Sequence, residues 1–168
     1  MQYAIISDTA DQIDFHRLRL ELRYHTCLIE DGRYNEAETY LLDNLKIKDI
    51  LLGHEHPDTL TSMAILGKLY QYQGRYKEAE ELQIQVLETR KRVLGLEHSD
   101  TLHSMHELAL TWRANGKAKE AVVLMEDCFR RRESSIGTDH PSTKISLNCQ
   151  QKWYEEDVSE SNEVSVVS

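Results

Sequence analysis

The residues most capable of chemistry in this 168-residue chain are its eight histidines and three cysteines. His56, His98 and His140 recur at a spacing of 42 residues. If each sits on its own copy of a stacked unit, neighbours lie roughly 10 Å apart, the distance between packed helices. Zinc needs ligands at about 2 Å, so the three histidines cannot share an ion, and a capping or linker-packing role is expected. His103 and His106 lie on one helical face with no evident third ligand, which points to a surface role. Cys27, Cys128 and Cys149 are odd in number and lack Cys-x-x-Cys spacing, so neither a disulfide framework nor a zinc site is indicated. Cys27 and Cys128 fall among helical apolar positions and read as buried structural residues. No dinucleotide fingerprint, Walker loop or nucleophile elbow is present, and His106-Glu107 is not followed by the second histidine of a zinc protease. No catalytic, metal or cofactor residues are assigned.

What must position these side chains is an internal repeat. At an offset of 42 residues Gly32, Gly74 and Gly116 coincide, as do Gly53, Gly95 and Gly137, and Thr59, Thr101 and Thr143. The words Asp31-Gly-Arg-Tyr-Asn-Glu-Ala, Gln73-Gly-Arg-Tyr-Lys-Glu-Ala and Asn115-Gly-Lys-Ala-Lys-Glu-Ala are nearly one motif written three times. Within the middle copy Leu60, Met63, Gly67 and Tyr70 follow helical spacing, and Ala79, Leu82, Val86 and Val93 do so again after Gly74. The glycines punctuate, since Gly74 and Gly95 stand where helices must stop and a positive φ costs glycine nothing. Pro57 opens the next helix with Asp58 in its first turn, and Ser99 is expected to cap the following one.

First helices are therefore expected near residues 14–30, 58–73 and 100–115, paired with second helices near 34–52, 76–94 and 118–136. A closing helix is expected at about 141–153. A two-helix unit cannot bury its apolar face alone, so the units must stack, and the closing helix must cover the open end. The fold class is all-α, a right-handed solenoid of about three helix-turn-helix repeats with a C-terminal capping helix. Its boundaries are an N-terminal segment 1–13, a repeat domain 14–153 (about 14–55, 56–97, 98–139 and a partial 140–153) and an acidic tail 154–168, rich in Ser, Glu and Asn and expected to be disordered.

Composition narrows the partners. The net charge is −9, but five acids and no base lie in residues 154–168, and removing those five leaves −4. The one dense basic run is Arg130-Arg131-Arg132, which argues against nucleic acid. Residues 1–13 lack a signal-peptide pattern and no apolar stretch has membrane-spanning length, so a cytoplasmic protein without membrane partners is expected.

The 42-residue period and the Leu-Gly-x-Glu-His-Pro-Asp-Thr-Leu linker resemble the tetratricopeptide repeat (TPR) of kinesin light chain type, over about residues 14–150. Leu66, Gly67, Tyr70, Gly74, Tyr76 and Ala79 carry the resemblance most fully, followed by Leu108, Ala109, Trp112, Gly116 and Ala121. Tyr24 and His25 depart from it, standing where Leu66 and Gly67 stand one repeat later. The pattern is also similar to repeats of fungal and bacterial NLR-like nucleotide-binding proteins. The resemblance implies a non-catalytic adaptor or scaffold that holds a protein or peptide, with first helices lining a concave face. The alternatives are a repeat region of a larger NLR-like or motor-adaptor protein and a non-catalytic subunit of an enzyme complex.

Mapped onto this chain, that face holds Arg19, Leu22 and Thr26 in the first repeat and Ala64, Lys68, Gln71 and Tyr72 in the second. In the third it holds His103, His106, Leu110 and Arg113, followed by Lys152. These positions contain bases and no acid, so a mildly basic groove favouring an acidic peptide is expected, with Tyr72 and Leu22 as anchors. The acidic stretch around Trp153 either packs on the last helix pair or lies in the groove. Three and a half repeats also leave room for self-association.

Overall fold

The computed structural model describes the backbone of residues 24–166 and the side chains of residues 24–157. Among the described residues seven helices follow one another: α1 (residues 24–30 described), α2 (Tyr34–Leu52), α3 (Pro57–Tyr72), α4 (Tyr76–Leu94), α5 (Ser99–Ala114), α6 (Ala118–Ile136) and α7 (Pro141–Val166). Each packs on its neighbour in sequence, and α3 also touches α5, which is how stacked helix pairs build a solenoid. Every second helix begins and ends where the residue pattern predicts. The closing helix does not stop at Trp153 but runs to Val166.

The punctuation has physical causes. Gly74 and Gly95 take φ of +73° and +89°, values that cost a side-chain-bearing residue steric strain. The histidines of the 42-residue ladder are N-caps: the ring Nδ1 of His56, His98 and His140 accepts a backbone N–H from Asp58, Asp100 and Ser142 at 3.2, 3.1 and 3.2 Å. A helix start leaves its first N–H groups without partners, and the ring nitrogen satisfies one of them. His98 thus takes the role expected of Ser99, which lies inside α5.

The core is a series of seams between helices. Leu28, Ala37, Leu41, Leu66 and Leu69 form one buried cluster, and Ala109, Ala121, Met125 and Trp153 form another at the far end. A small residue at the centre of α3 and of α5 permits close approach. A Cβ added to Gly67 would stand 3.1 Å from Cγ of Gln83, and Ala109, one repeat on, is fully buried. Two assignments from the sequence change here. Val93 points outward, because α4 turns Ala79, Gln83, Val86, Leu87 and Arg90 inward instead. Cys27 is exposed while Cys128 is buried.

Between repeats runs a ladder of bases, half-buried at Lys48 and buried at Arg90 and Arg132. Lys48 donates to Ser62 Oγ at 3.0 Å. Arg90, only 4% exposed, donates to Ser104 Oγ at 2.9 Å and to the Asp100 carbonyl at 3.1 Å. Arg132 repeats this with Ser146 Oγ at 2.7 Å and the Ser142 carbonyl at 2.8 Å. Each base rises from a second helix and holds the first turns of the next first helix. A buried cation is tolerated only when its donors are used. A second link clamps the turns: Glu38 accepts from Arg75 and Gln73, and Glu80 from Lys117, Trp112 and Asn115. Partial burial penalises both carboxylates, yet these hydrogen bonds outweigh it and hold their pKa values below the ordinary range.

His106 belongs to the same buried layer. It is 7% exposed, with Nδ1 at 3.3 Å from Ser146 Oγ. Burial, reinforced by the Arg132 charge, pushes its pKa down to about 4. The unfolded chain therefore binds the proton more readily than the folded one between pH 6.5 and 4, and stability must fall as pH drops through that window.

Two outcomes are expected. Arg90→Ala should lower the stability measured by urea unfolding by about 2 kcal/mol, since charged hydrogen bonds of this kind contribute ~1.5–3 kcal/mol, whereas Arg92→Ala, on an exposed pair with Glu55, should leave the midpoint unchanged. Stability followed between pH 7 and 4 should decline by up to ~3 kcal/mol through His106, and His106→Gln should flatten that decline.

Candidate functional site

Where α3 and α5 stand side by side above α4, they leave a cleft of about 190 Å³. From α3 it is lined by Thr61, Ala64, Ile65 and Lys68, with Gln83, Val86 and Arg90 as its floor on α4. Asp100, His103, Ser104 and Glu107 form the opposite wall on α5. The helices face one another here because the Arg90 ladder ties α4 to α5 while Gly67 lets α3 settle onto α4.

The cleft is not simply basic. Lys68 Nζ lies 3.1 Å from Glu107 Oε1, and His103 Nε2 lies 3.9 Å from the same oxygen. Gln71 reaches across to donate to the Glu107 carbonyl at 3.1 Å and to Thr111 Oγ1. Thr111 Oγ1 in turn donates to Gln83 Oε1 at 2.6 Å. Lys68, Gln71 and His103 are thus brought together around an acid, Glu107, that is not among the expected groove residues.

The other groove residues fall elsewhere. Arg113 pairs with Glu156 at 3.0 Å and Asp157 at 2.8 Å, and its guanidinium lies 5.7 Å from the Trp153 ring centroid. Lys152 lies 3.7 Å from Glu156 and is largely exposed. Because α7 continues past Trp153, its own acids neutralise this end of the face, which corrects the expectation of a face free of acids. Trp153 packs on Ala109, Ala121 and Met125. His106 is buried between α5 and α7 and presents nothing to a groove, because its turn faces Ser146. Tyr72, half exposed, stacks on Tyr34 with ring centroids 6.5 Å apart and lies outside the cleft. Thr26 is on an exposed side of α1, and Arg19 and Leu22 lie outside the described residues.

Gln83, Arg90, Glu107 and Thr111 are not among the residues expected from the sequence, although the repeat itself carries a signal for three of them. Leu41, Gln83 and Met125 share one repeat position, Ile65, Glu107 and Cys149 a second, and Leu69, Thr111 and Trp153 a third. In the α2–α3 and α6–α7 seams these positions are apolar and pack together. In the α4–α5 seam all three are polar. Among the described residues no group of histidines, cysteines or acids is disposed to hold a metal ion, and no helix is long and apolar enough to cross a membrane.

The fold and this face can be set beside known proteins. The family model described as tetratricopeptide repeat matches residues 17–92 and 64–134. A putative kinesin light chain from Podosopora anserina, solved as nearly identical TPR-like repeats, is 32% identical, with a TM-score of 0.78 over 89% of this chain and 71% of that one. BtubC (BKLC) from P. vanneervenii shares the fold at 19% identity, with a TM-score of 0.67 over 86% of this chain and 61% of that one. No curated protein sequence matches. With the period, the helix pairs and the family match in agreement, the chain belongs to the tetratricopeptide repeat family, with repeats of kinesin light chain type.

Proposed function

We propose that this chain is a non-catalytic protein-interaction module that receives an extended or short helical segment of a partner along the face of α3, α5 and α7, with the α3–α5 cleft as its anchor pocket. The observation that carries this reading is the cleft itself: an indentation of about 190 Å³ between consecutive first helices, in which Ala64, Ile65 and Val86 stand beside polar groups. Such a shape admits one side chain of a bound segment, and the neighbouring helices supply the length along which the rest can lie.

Charge acts at the α7 end. Arg113 is held by two carboxylates of the chain, so an acidic partner segment binds there by taking their place, and this exchange is the form in which an acidic preference fits the geometry. The three free cysteines suit a reducing, cytoplasmic setting. The likeness to a putative kinesin light chain favours a repeat region of motor-adaptor type as the second reading.

The test is selection of binding peptides from a random displayed library, followed by affinity measurement on the unaltered protein and on the Lys68→Glu, Arg113→Glu double variant with its helicity checked. Selected peptides should bind the variant about tenfold more weakly, the loss of roughly 1.4 kcal/mol expected when two rim ion pairs are reversed. Equal affinity would move the binding surface off this face, and failure to select any peptide would contradict the reading.

A further inference from the structure

The polar seam between α4 and α5 is not self-sufficient. Gln83 is 4% exposed, and its Oε1 is satisfied by Thr111, but its Nε2 has no hydrogen-bond partner. Glu107 spends Oε1 on Lys68, while its Oε2 is likewise buried and unpaired. Both residues line the cleft. A network kept for stability closes its hydrogen bonds, because a half-satisfied one is worse than an apolar contact. The chain has the apolar alternative at hand, since Leu41 with Leu69 and Met125 with Trp153 fill the same positions in the outer seams. The middle seam instead leaves one donor and one acceptor buried and unpaired beside an indentation.

We propose that this cleft binds a primary carboxamide, the side chain of a glutamine or asparagine on the partner segment; the inference rests on the groove reading above and names its anchor. The carboxamide carbonyl accepts from Gln83 Nε2 and its N–H donates to Glu107 Oε2, while Ala64, Ile65 and Val86 contact the methylenes. Other charge classes leave a group unanswered. A carboxylate would set like charge against Glu107, and the cations that might offset it are committed, Lys68 to Glu107 and Arg90 to Ser104 and the Asp100 carbonyl. An ammonium would satisfy Glu107 but face the Gln83 N–H with another donor. A wholly apolar side chain would answer neither.

The experiment is a titration of the ¹⁵N-labelled full chain with N-acetylglutamine methylamide, read at the Gln83 side-chain NH₂ resonances, which Gln83→Met assigns by removing them. Saturable shifts with a dissociation constant on the order of millimolar are expected for a ligand of this size, with a response at least several-fold weaker to N-acetylglutamate methylamide. In Gln83→Met, whose side chain is the one the next repeat carries at Met125, the backbone amides of Ala64 and Ser104 should cease to respond. In Glu107→Gln, which keeps the shape and removes the charge, the glutamate compound should gain on the glutamine compound. No shift up to ~50 mM, ten times or more the expected constant, or equal shifts with the two compounds, would overturn the proposal. A library-selected peptide that binds the face without moving the Gln83 NH₂ would leave the groove standing and remove the carboxamide anchor.

Discussion

Everything in this molecule depends on the seam between one repeat's second helix and the next repeat's first helix. A helix pair of this length has too little apolar surface to be stable alone, so each must be closed by its successor. The closure is geometric as well as hydrophobic. A base on the second helix, Lys48, Arg90 or Arg132, holds a serine on the next first helix, Ser62, Ser104 or Ser146. Those links set the register in which leucines and methionines meet, the histidine caps start the helices that meet them, and the glycines turn the chain between. The open face between successive first helices is a by-product of that stacking.

Against so regular a frame, the α4–α5 seam is the exception. Where its neighbours place leucine, methionine and tryptophan it places Gln83 and Thr111, and it adds Glu107 where they place isoleucine and cysteine. Burying such groups costs free energy unless each finds a partner, and here the partners run short by one donor and one acceptor. The exception coincides with the cleft on the face that the family's architecture leaves open. Local departure from an otherwise consistent pattern is where function is expected to override packing.

Much of the fold was legible in the sequence because its signals are local and written three times. Helix pairs and their glycine stops follow from spacing alone, and the second-helix boundaries agree residue for residue, whereas the spacing of the histidines left capping and linker packing both open. The site was less legible. Helical spacing places Lys68, Gln71 and His103 on one face, but it does not say what comes back across the cleft from the next helix, so Glu107 was overlooked. His106 was placed on the wrong side because a one-helix projection cannot see that α7 packs over it. The acids of α7 were assigned to a separate tail because their composition reads as disorder, whereas the helix that begins at Pro141 carries them past Arg113. Buried arginines were the hardest to foresee, since a base on a helix usually means a solvated face.

The most direct check of the claim that the middle seam is shaped for a ligand at the expense of packing is a urea unfolding curve of Gln83→Met compared with the unaltered chain. Methionine fits this position in the following repeat and removes an unpaired buried donor, so the variant should be as stable as the parent or more so by about 1 kcal/mol. A loss of about 2 kcal/mol or more, the size of breaking a satisfied buried network, would show that Gln83 is there to hold the repeats together, and the claim would be wrong.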